Sequence, residues 1–344
     1  SIRINKTAPR PPMPRQGVYT LVRVLYASID PIDYKLPSMS WPVPRLVIGS
    51  SPITPGTSFV GQVQETRHPG FKAGDFVWGK HDMSVKHGTC ASYTLVAGNK
   101  GVVKIPADWN PKRSLEEFAG AGVVAQTALQ TLIASGLPLP LQRSSDDQVL
   151  DRTIFINGST GGVGTFAVQM AKRCFRVKHV VVSCSGANSD FVKSLGADEV
   201  VDYRTCGANG LSGWLKDWSK TNGRSFDAVI DNVGTEPDLY WNCHHFLTAD
   251  GKYVQVGGGM DVGSFAMTAK KALWPRILGG GQRAFQFLGT ENKPDDLSMI
   301  GMWMAEGKVR CVIEDDNRYS LLDVKKAYEK LNSGRVRGKI IVVV

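Results

Sequence analysis

Residues 152–174 read RTIFINGSTGGVGTFAVQMAKRC, and this stretch decides the fold. It begins with the apolar, β-branched run 153–156, passes through a glycine-rich turn and ends in an amphipathic segment that lacks Pro and Gly from Thr165 onward. That order predicts a strand, a tight turn and a helix. Gly161, Gly162 and Gly164 leave bare backbone N–H groups at the helix N-terminus, which is what a diphosphate requires.

The dinucleotide pattern G-x-G-x-x-G is matched only in part. Ser159 stands at the first glycine position when Gly161 and Gly164 take the second and third. A second β-branched strand, predicted over 179–183, follows at the spacing of a βαβ unit, and this context favours a dinucleotide site over a ligand-free turn. The residues predicted to bind the dinucleotide here are Ser159, Thr160, Gly161, Gly162, Val163 and Gly164.

Composition limits the function classes. The chain has 344 residues with 42% hydrophobic content, enough for two domains that each bury a core. Its net charge of +10 comes from scattered basic residues, which disfavours nucleic-acid binding and favours an anionic, phosphorylated ligand. No apolar run approaches the roughly 20 residues that span a bilayer, so we expect a cytoplasmic protein without membrane contact. Because the sequence opens at Ser1, a mitochondrial location stays an alternative.

The pattern along the chain changes from strands to alternating strands and helices. Short predicted strands cover 18–26, 57–64, 76–79 and 88–96, and a capping box at 114–117 precedes a helix over 119–135. A polar loop follows over 142–148, and strands then alternate with helices, which predicts an α/β protein with a doubly wound parallel sheet. A strand over 284–288 and an apolar closing strand over 338–344, expected in the N-terminal domain, end the chain.

Several segments together resemble the medium-chain dehydrogenase/reductase superfamily, in its zinc-independent quinone reductase and enoyl reductase branch. They are SIDPIDYK at 28–35, PGTSFVG at 55–61, GVVAQTA at 122–128, LGADEVVDY at 195–203 and GRVRGKI at 334–340. CSGAN at 184–188 and GLPLP at 136–140 are similar to fungal trans-acting enoyl reductases of polyketide assembly. The resemblance implies a GroES-like catalytic domain over 1–113, a Rossmann domain over 114–290 and a return to the catalytic domain over 291–344, with the substrate cleft between them.

The segments that hold zinc in other members of the superfamily are altered here. Residues 28–35 contain no Cys, and Thr57 and Ser58 stand where those members carry His-Glu. The four-cysteine lobe is absent too, and the six cysteines include no C-x-x-C pair. Without such ligands a tetrahedral zinc site cannot be built, so we expect no metal site.

Cofactor choice depends on the end of the second Rossmann strand. An NAD enzyme places Asp or Glu there, whereas this chain has Ser185 and Asn188. These neutral groups do not repel a 2′-phosphate, which predicts NADPH; an ordinary polar turn is the alternative. By resemblance, Tyr203 lies near the adenosine phosphate, and Asn232 and Gly257 belong to the same cofactor site.

The resemblance also places Tyr34, Lys35 and Thr127 on the floor of the cleft near the nicotinamide. The ammonium of Lys35 is suited to stabilise an enolate, although a solvated surface lysine is the alternative. The expected reaction is NADPH-dependent reduction of an enone, an enoyl group or a quinone, and no proton donor is identified.

Two alternatives stay open for the function. One is a trans-acting reductase that serves a carrier-protein-bound substrate, and the other is a catalytically silent NADPH-binding sensor or interaction protein. The sheet edge expected at 284–288 predicts a homodimer.

Overall fold

The computed structural model describes residues 2–38, 53–81, 87–98, 100–140 and 148–344. They form two compact units: residues 1–126 with 291–344, and residues 127–290. The predicted polar loop over 142–148 lies outside the described residues except for Gln148. In chain order the strands and helices are β1 (Tyr19–Ile29), α1 (Pro31–Ser38), β2 (Ser58–Thr66), β3 (Phe76–Lys80), β4 (Tyr93–Ala97), β5 (Val102–Lys104), α2 (Glu116–Ala134), β6 (Leu150–Asn157), α3 (Gly162–Gln169, continued by a π-helical turn over Met170–Cys174), β7 (Val177–Cys184), α4 (Ser189–Leu195), β8 (Glu199–Asp202), α5 (Gly210–Asn222), β9 (Phe226–Asp231), α6 (Pro237–Trp241), β10 (Leu247–Gln255), α7 (Val262–Leu273), β11 (Ala284–Phe287), α8 (Pro294–Ala305), β12 (Arg318–Ser320), α9 (Val324–Asn332) and β13 (Ile340–Val343).

The first unit is a β-rich GroES-like domain. Its sheet has the order β12-β13-β1-β2-β3-β5, with β4 paired to β1. The chain terminus returns to this sheet: β13 runs antiparallel to β1, with Ile340 opposite Ile29. The closing strand is therefore in the N-terminal domain, as its apolar sequence predicted, and its side chains join a core with Val22, Phe59 and Val77.

The second unit is a parallel sheet in the order β11-β10-β9-β6-β7-β8. This is the doubly wound Rossmann arrangement, in which the chain starts in the middle, runs outward through β7 and β8, and returns to the other side through β9. The carboxyl ends of β6 and β9 therefore lie side by side at the point where the strand order reverses. Ligands of such sheets bind at this point, which places the candidate site beside the glycine-rich turn. The predicted α/β fold class is confirmed.

The unit boundary and several elements differ from the sequence-based expectation. The units divide between Gln126 and Thr127, within α2, whereas the sequence placed the boundary at 113/114, where the helical pattern begins. A change of pattern marks the start of an element, but a continuous helix can belong to both units. The domain boundaries at 113 and 290 therefore stay predictions.

Local signals also predicted some elements incompletely. Helix α1, which the sequence pattern did not predict, forms over Pro31–Ser38; Pro31 occupies the first turn, a position that tolerates proline, and Pro37 lies inside the helix near its end. The predicted capping box is only half formed: Ser114 Oγ accepts from the backbone N–H of Glu116 at 3.3 Å. The Glu117 carboxylate pairs with Arg113 instead of returning to the helix start.

Candidate functional site

The glycine-rich turn forms an open cradle at the N-terminus of α3. Gly161 is the N-cap residue and offers no side-chain cap, so the first N–H groups of the helix are left for a ligand. A Cβ added to Gly161 would meet nothing within 4 Å. A Cβ at Gly164 would lie 2.2 Å from the carbonyl oxygen of Gly158, so only glycine lets the helix pack on the turn. These are the roles that the second and third glycines have in a dinucleotide fingerprint.

Ser159 supports the turn from inside the fold. It is fully buried, and its hydroxyl donates to the carbonyl oxygen of Ser183 at 2.8 Å. Its backbone N–H is directed to the same oxygen at 3.2 Å. Ser159 therefore ties the turn to β7, whereas Thr160, Gly161, Gly162 and Val163 keep part of their surface exposed.

A buried hydrogen-bond network crosses the carboxyl ends of β7, β6, β9 and β10. Ser183 Oγ donates to Asn157 Oδ1 at 2.6 Å, and Asn157 Nδ2 donates to Asp231 Oδ1 at 2.9 Å. The Tyr253 hydroxyl completes the network by donating to Asp231 Oδ2 at 2.6 Å. Burial and the neighbouring Asp231 carboxylate raise the pKa of Tyr253 well above its usual value, so the phenol keeps its proton. The network fixes four strand ends as one rigid floor.

Asn232 and Gly257 follow the carboxyl ends of β9 and β10, next to this network. Asn232 Nδ2 donates to the carbonyl oxygen of Asn157 at 3.1 Å, which directs the amide along the sheet edge. Its buried Oδ1 has no hydrogen-bond partner among the described residues. A Cβ on Gly257 would lie 2.0 Å from the Asn232 carbonyl oxygen, so glycine is required for the two loops to meet. The orphaned acceptor needs a donor, and a ribose hydroxyl or a carboxamide would supply one.

Ser185 and Asn188 face each other on the turn after β7. Asn188 Nδ2 donates to Ser185 Oγ at 3.0 Å, so the two neutral groups that predicted NADPH do lie together. Sequence reasoning missed a carboxylate beside them. Asp202 ends β8 opposite Cys184, and a Cβ on Gly186 would lie 2.4 Å from its Oδ2. With burial as the main cause, Asp202 also raises the pKa of the Cys184 thiol to about 11.

Tyr203 and Arg204 follow directly on the exposed side of β8. Tyr203 is 47% exposed, and the guanidinium carbon of Arg204 lies 5.8 Å from its ring centroid. Asp202 Oδ1 accepts from the backbone N–H of Arg204 at 3.0 Å. This edge thus combines one carboxylate with an exposed cation and an open aromatic face.

The first unit contains a separate cluster of buried charged groups near α1. Lys339 Nζ pairs with Asp30 and also donates to the carbonyl oxygen of Ile29 at 2.9 Å. The backbone N–H of Asp30 donates to Asp33 Oδ2 at 2.8 Å. Residue Asp33 is partly exposed, but its carboxyl group is enclosed by these neighbours; burial, followed by the Asp30 charge, raises its pKa far above the usual carboxyl range. Lys339 offsets the Asp30 charge only in part, so the raised pKa keeps Asp33 protonated at neutral pH.

The three predicted substrate-site residues are distributed over both units. Tyr34 and Lys35 follow Asp33 on α1, where Tyr34 packs against the core of the first unit and burial raises its pKa. Lys35 is partly exposed in the last turn of α1. Thr127 belongs to the second unit, where its hydroxyl lies 2.7 Å from that of Thr290.

Ser58 is one of the two residues that, by resemblance, stand where other members carry a zinc-binding His-Glu pair. It is buried; its Oγ donates to Asp30 Oδ2 at 3.4 Å and accepts from the backbone N–H of Val123 at 3.0 Å. Within the described ranges, no group of three or more His, Cys, Asp or Glu residues is arranged to hold a metal ion. None of the helices described is long and apolar enough to cross a membrane.

Comparisons with known proteins match both parts of the chain. Residues 17–129 match the alcohol dehydrogenase GroES-like domain, and residues 195–342 match the zinc-binding dehydrogenase family. The trans-enoyl reductase pgmF of Aspergillus terreus is 37% identical over 360 residues, covering 99% of this chain and 91% of that protein.

Solved structures agree with these matches. The quinone oxidoreductase of Coxiella burnetii superimposes with a TM-score of 0.75 at 25% identity and covers 97% of this chain and 93% of its own. The Escherichia coli quinone oxidoreductase, solved in complex with NADPH, gives a TM-score of 0.70 at 20% identity, covering 95% and 91% of the two chains, and that likeness concerns the fold.

Proposed function

Since this chain belongs to the medium-chain dehydrogenase/reductase family, in the branch of enoyl reductases and quinone oxidoreductases, we propose that it is a zinc-independent, NADPH-dependent reductase of activated C=C bonds or quinones. The observation that carries the proposal is the uncapped glycine cradle at the N-terminus of α3, beside a turn that ends β7 with Ser185 and Asn188. The family supports a nicotinamide cofactor, and the cradle supports its diphosphate.

The residues present fit a nicotinamide dinucleotide. Gly161 and the residues that follow it would hold the diphosphate through backbone N–H groups, since the space beside Gly161 is open. Asn232 Oδ1, a buried acceptor without a partner among the described residues, would take a hydrogen bond from the cofactor. The buried network from Ser183 to Tyr253 would hold these groups in place, because its members are fixed by short bonds on rigid strands.

The chemistry proposed is hydride transfer to an electron-poor carbon. A bound NADPH supplies the hydride, and the protein contributes position and electrostatics. Lys35 and Tyr34 are the candidate groups to stabilise the developing enolate oxygen, since a cation and a phenol can both donate to it. The protonated carboxyl of Asp33, which precedes them on α1, keeps additional negative charge out of this part of the unit.

NADPH is favoured over NADH by two features and opposed by one. Ser185 and Asn188 are neutral donors and acceptors, and Arg204 provides a cation on the adjoining loop. The Asp202 carboxylate next to Gly186 works against a 2′-phosphate. Because Asp202 already accepts from the backbone of Arg204, we expect the cation and the neutral pair to prevail.

We propose zinc independence from the side chains that stand where zinc ligands would have to be. By resemblance, Thr57 and Ser58 stand where other members carry the zinc-binding His-Glu pair, and the buried hydroxyl of Ser58 is hydrogen-bonded to Asp30 and to the backbone N–H of Val123. A hydroxyl in that bonding state is a poor zinc ligand. Treatment of the purified protein with a chelator should leave turnover unchanged; loss of turnover together with one zinc per chain would refute this part.

The experiment that tests the function is steady-state oxidation of NADPH with a small quinone, with a simple enone and with a short enoyl thioester. Turnover of at least one supports the proposal. Tight NADPH binding without turnover of any would instead support the silent sensor. A trans-acting role on a carrier-bound substrate is favoured by the exposed apolar side chains of α7, Val262 and Leu273 among them. The expectation of a cytoplasmic location stays a proposal.

A further inference from the structure

Helix α7 of the second unit presents apolar side chains to solvent and a lysine to the interior. Lys271 is 3% exposed, and its Nζ donates to Gln255 Oε1 at 2.8 Å. Val262 and Leu273, at the two ends of the helix, are each 79% exposed and lie on the face opposite Lys271. Surface helices ordinarily have the reverse arrangement.

The arrangement of α7 costs free energy if the outer face of the helix stays exposed to water. Burial lowers the pKa of Lys271, so holding its ammonium inside is unfavourable. The exposed apolar side chains on the outer face of α7 contribute little hydrophobic stabilisation to the unit. Both features become reasonable when another molecule covers the outer face.

The apolar surface continues beyond the helix. Ile277 is 94% exposed and Leu278 64%, and the Trp274 indole N–H donates to the Leu278 carbonyl oxygen at 2.8 Å, which holds the turn together. Exposed apolar patches of this kind mark interaction sites. We refer to the exposed side chains of Val262, Phe265, Leu273, Trp274, Ile277 and Leu278 as the α7 surface.

The charge around the α7 surface is mainly positive, and the carboxylate of Asp261, at the start of α7, is engaged in capping the helix by accepting from the backbone N–H of Ser264. Residues 262–290 contain no Asp or Glu, whereas they carry Lys270, Lys271, Arg276 and Arg283. Lys270 Nζ lies 5.5 Å from the Trp274 ring centroid, and both Lys270 and Arg276 are exposed beside the apolar side chains. A partner that covers this surface must supply negative charge.

This charge decides between two occupants. In a two-fold contact a second copy would bring the same cations to the same surface. The positive charges of Lys270 and Arg276 would then lie close to those of the partner copy and repel them. An acidic partner supplies the missing counter-charges and gains in association rate and selectivity. We propose that the α7 surface docks an acidic protein domain with an apolar contact face, and, resting on the proposed reduction, that this domain carries the enoyl substrate as a thioester.

The homodimer predicted from the sequence would use the adjoining sheet edge. Strand β11 does lie at the edge of its sheet in the part of the chain described, and Phe287 on it is 48% exposed. A second copy on β11 would compete with the acidic domain, because α7 packs beside this strand. The charge argument favours an acidic partner at the α7 surface, and the homodimer at β11 stays a prediction.

The test compares one enoyl group on two carriers. Reduction by NADPH is measured with the group attached to free pantetheine and to the pantetheine arm of an acidic acyl carrier protein. The double variants Lys270→Glu/Arg276→Glu and Leu273→Ser/Ile277→Ser should each lower kcat/KM for the carrier-bound substrate at least ~10-fold and leave the pantetheine substrate unchanged. Lys220→Glu, an exposed reversal on α5, is the control and should alter neither.

Other outcomes overturn the proposal. Equal loss on both substrates, or equal kcat/KM of the unmodified protein on both, removes the docking role. A dimer that dissociates in Leu273→Ser/Ile277→Ser assigns the surface to a second copy, and binding to anionic vesicles without an effect on the carrier-bound substrate assigns it to a membrane. If the unmodified protein reduces neither substrate, the proposed function itself has failed.

Discussion

Substitution of Asp33 by Asn should make the stability of the protein less dependent on pH. The Asp33 carboxyl accepts from the backbone N–H of Asp30 at 2.8 Å and lies close to the Asp30–Lys339 pair. Burial and the Asp30 charge raise its pKa from 3.8 to about 8. Between these values the folded protein holds a proton that the unfolded chain releases, so stability falls as pH rises through this window and is constant above it.

The magnitude follows from the width of the window. Each pKa unit corresponds to about 1.4 kcal/mol, so the interval from pH 5.5 to 7.5 alone should remove roughly 2 to 3 kcal/mol of unfolding free energy from the parent protein. Asn resembles the protonated acid and can still accept from Asp30. Because Asn is uncharged in both the folded and the unfolded state, its variant should already be the more stable protein at pH 5.5, and its advantage over the parent should grow by that amount up to pH 7.5.

The assay is urea unfolding at several pH values, read as the difference between variant and parent, which cancels other titrating groups. Asp75→Asn is the control with the opposite sign. The salt bridge to Lys104 lowers the pKa of Asp75, so that variant should lose stability by a constant amount over the same window. Parallel curves for Asp33→Asn and the parent would refute the reasoning.

Further predictions concern the cofactor site and its support. The parent should prefer NADPH over NADH by at least ~10-fold in Kd, because a few hydrogen bonds of ~1 kcal/mol to a phosphate give that ratio. Ser185→Asp should reduce the preference and Asp202→Asn should increase it, and equal Kd values in the parent would show that this turn is not a specificity site. Gly164→Ala should destabilise the fold by about 1 to 3 kcal/mol because its Cβ would lie 2.2 Å from the Gly158 oxygen. Gly161→Ala should keep the stability and weaken NADPH binding, as checked by melting and titration; the reverse pattern would contradict the assigned glycine roles. Tyr253→Phe should cost ~1.5 to 3 kcal/mol in urea unfolding by removing the bond to Asp231, and Tyr240→Phe, which loses a 3.1 Å bond to a neutral carbonyl, should cost less.

The sequence predicted the parts of the fold that local pattern controls. The apolar run at 153–156, the glycine turn and the helix after it lie next to each other in the chain, so their order alone identified a dinucleotide unit. The same holds for the closing strand, whose sequence at 340–343 is too apolar for a surface. Such signals require no knowledge of what lies across the sheet.

The parts that were missed depend on residues distant in sequence. Asp202 reaches the turn at Gly186 only because β7 and β8 pair in parallel with Cys184 opposite Asp202. Lys339 meets Asp30 across 309 positions of the chain. The burial of Lys271 likewise follows from its hydrogen bond to Gln255, and a helix with two adjacent lysines, Lys270 and Lys271, does not reveal which of them faces inward.

Transfer of labelled hydride tests the proposed reduction most directly. With NADPH deuterated at C4 and an enoyl thioester as substrate, we expect the saturated product to carry one deuterium on its β-carbon, observed by mass spectrometry and NMR, with NADH a poor substitute. Deuterium on the former carbonyl carbon of an alcohol product, or unlabelled product, would contradict the assignment of this chain as a C=C reductase.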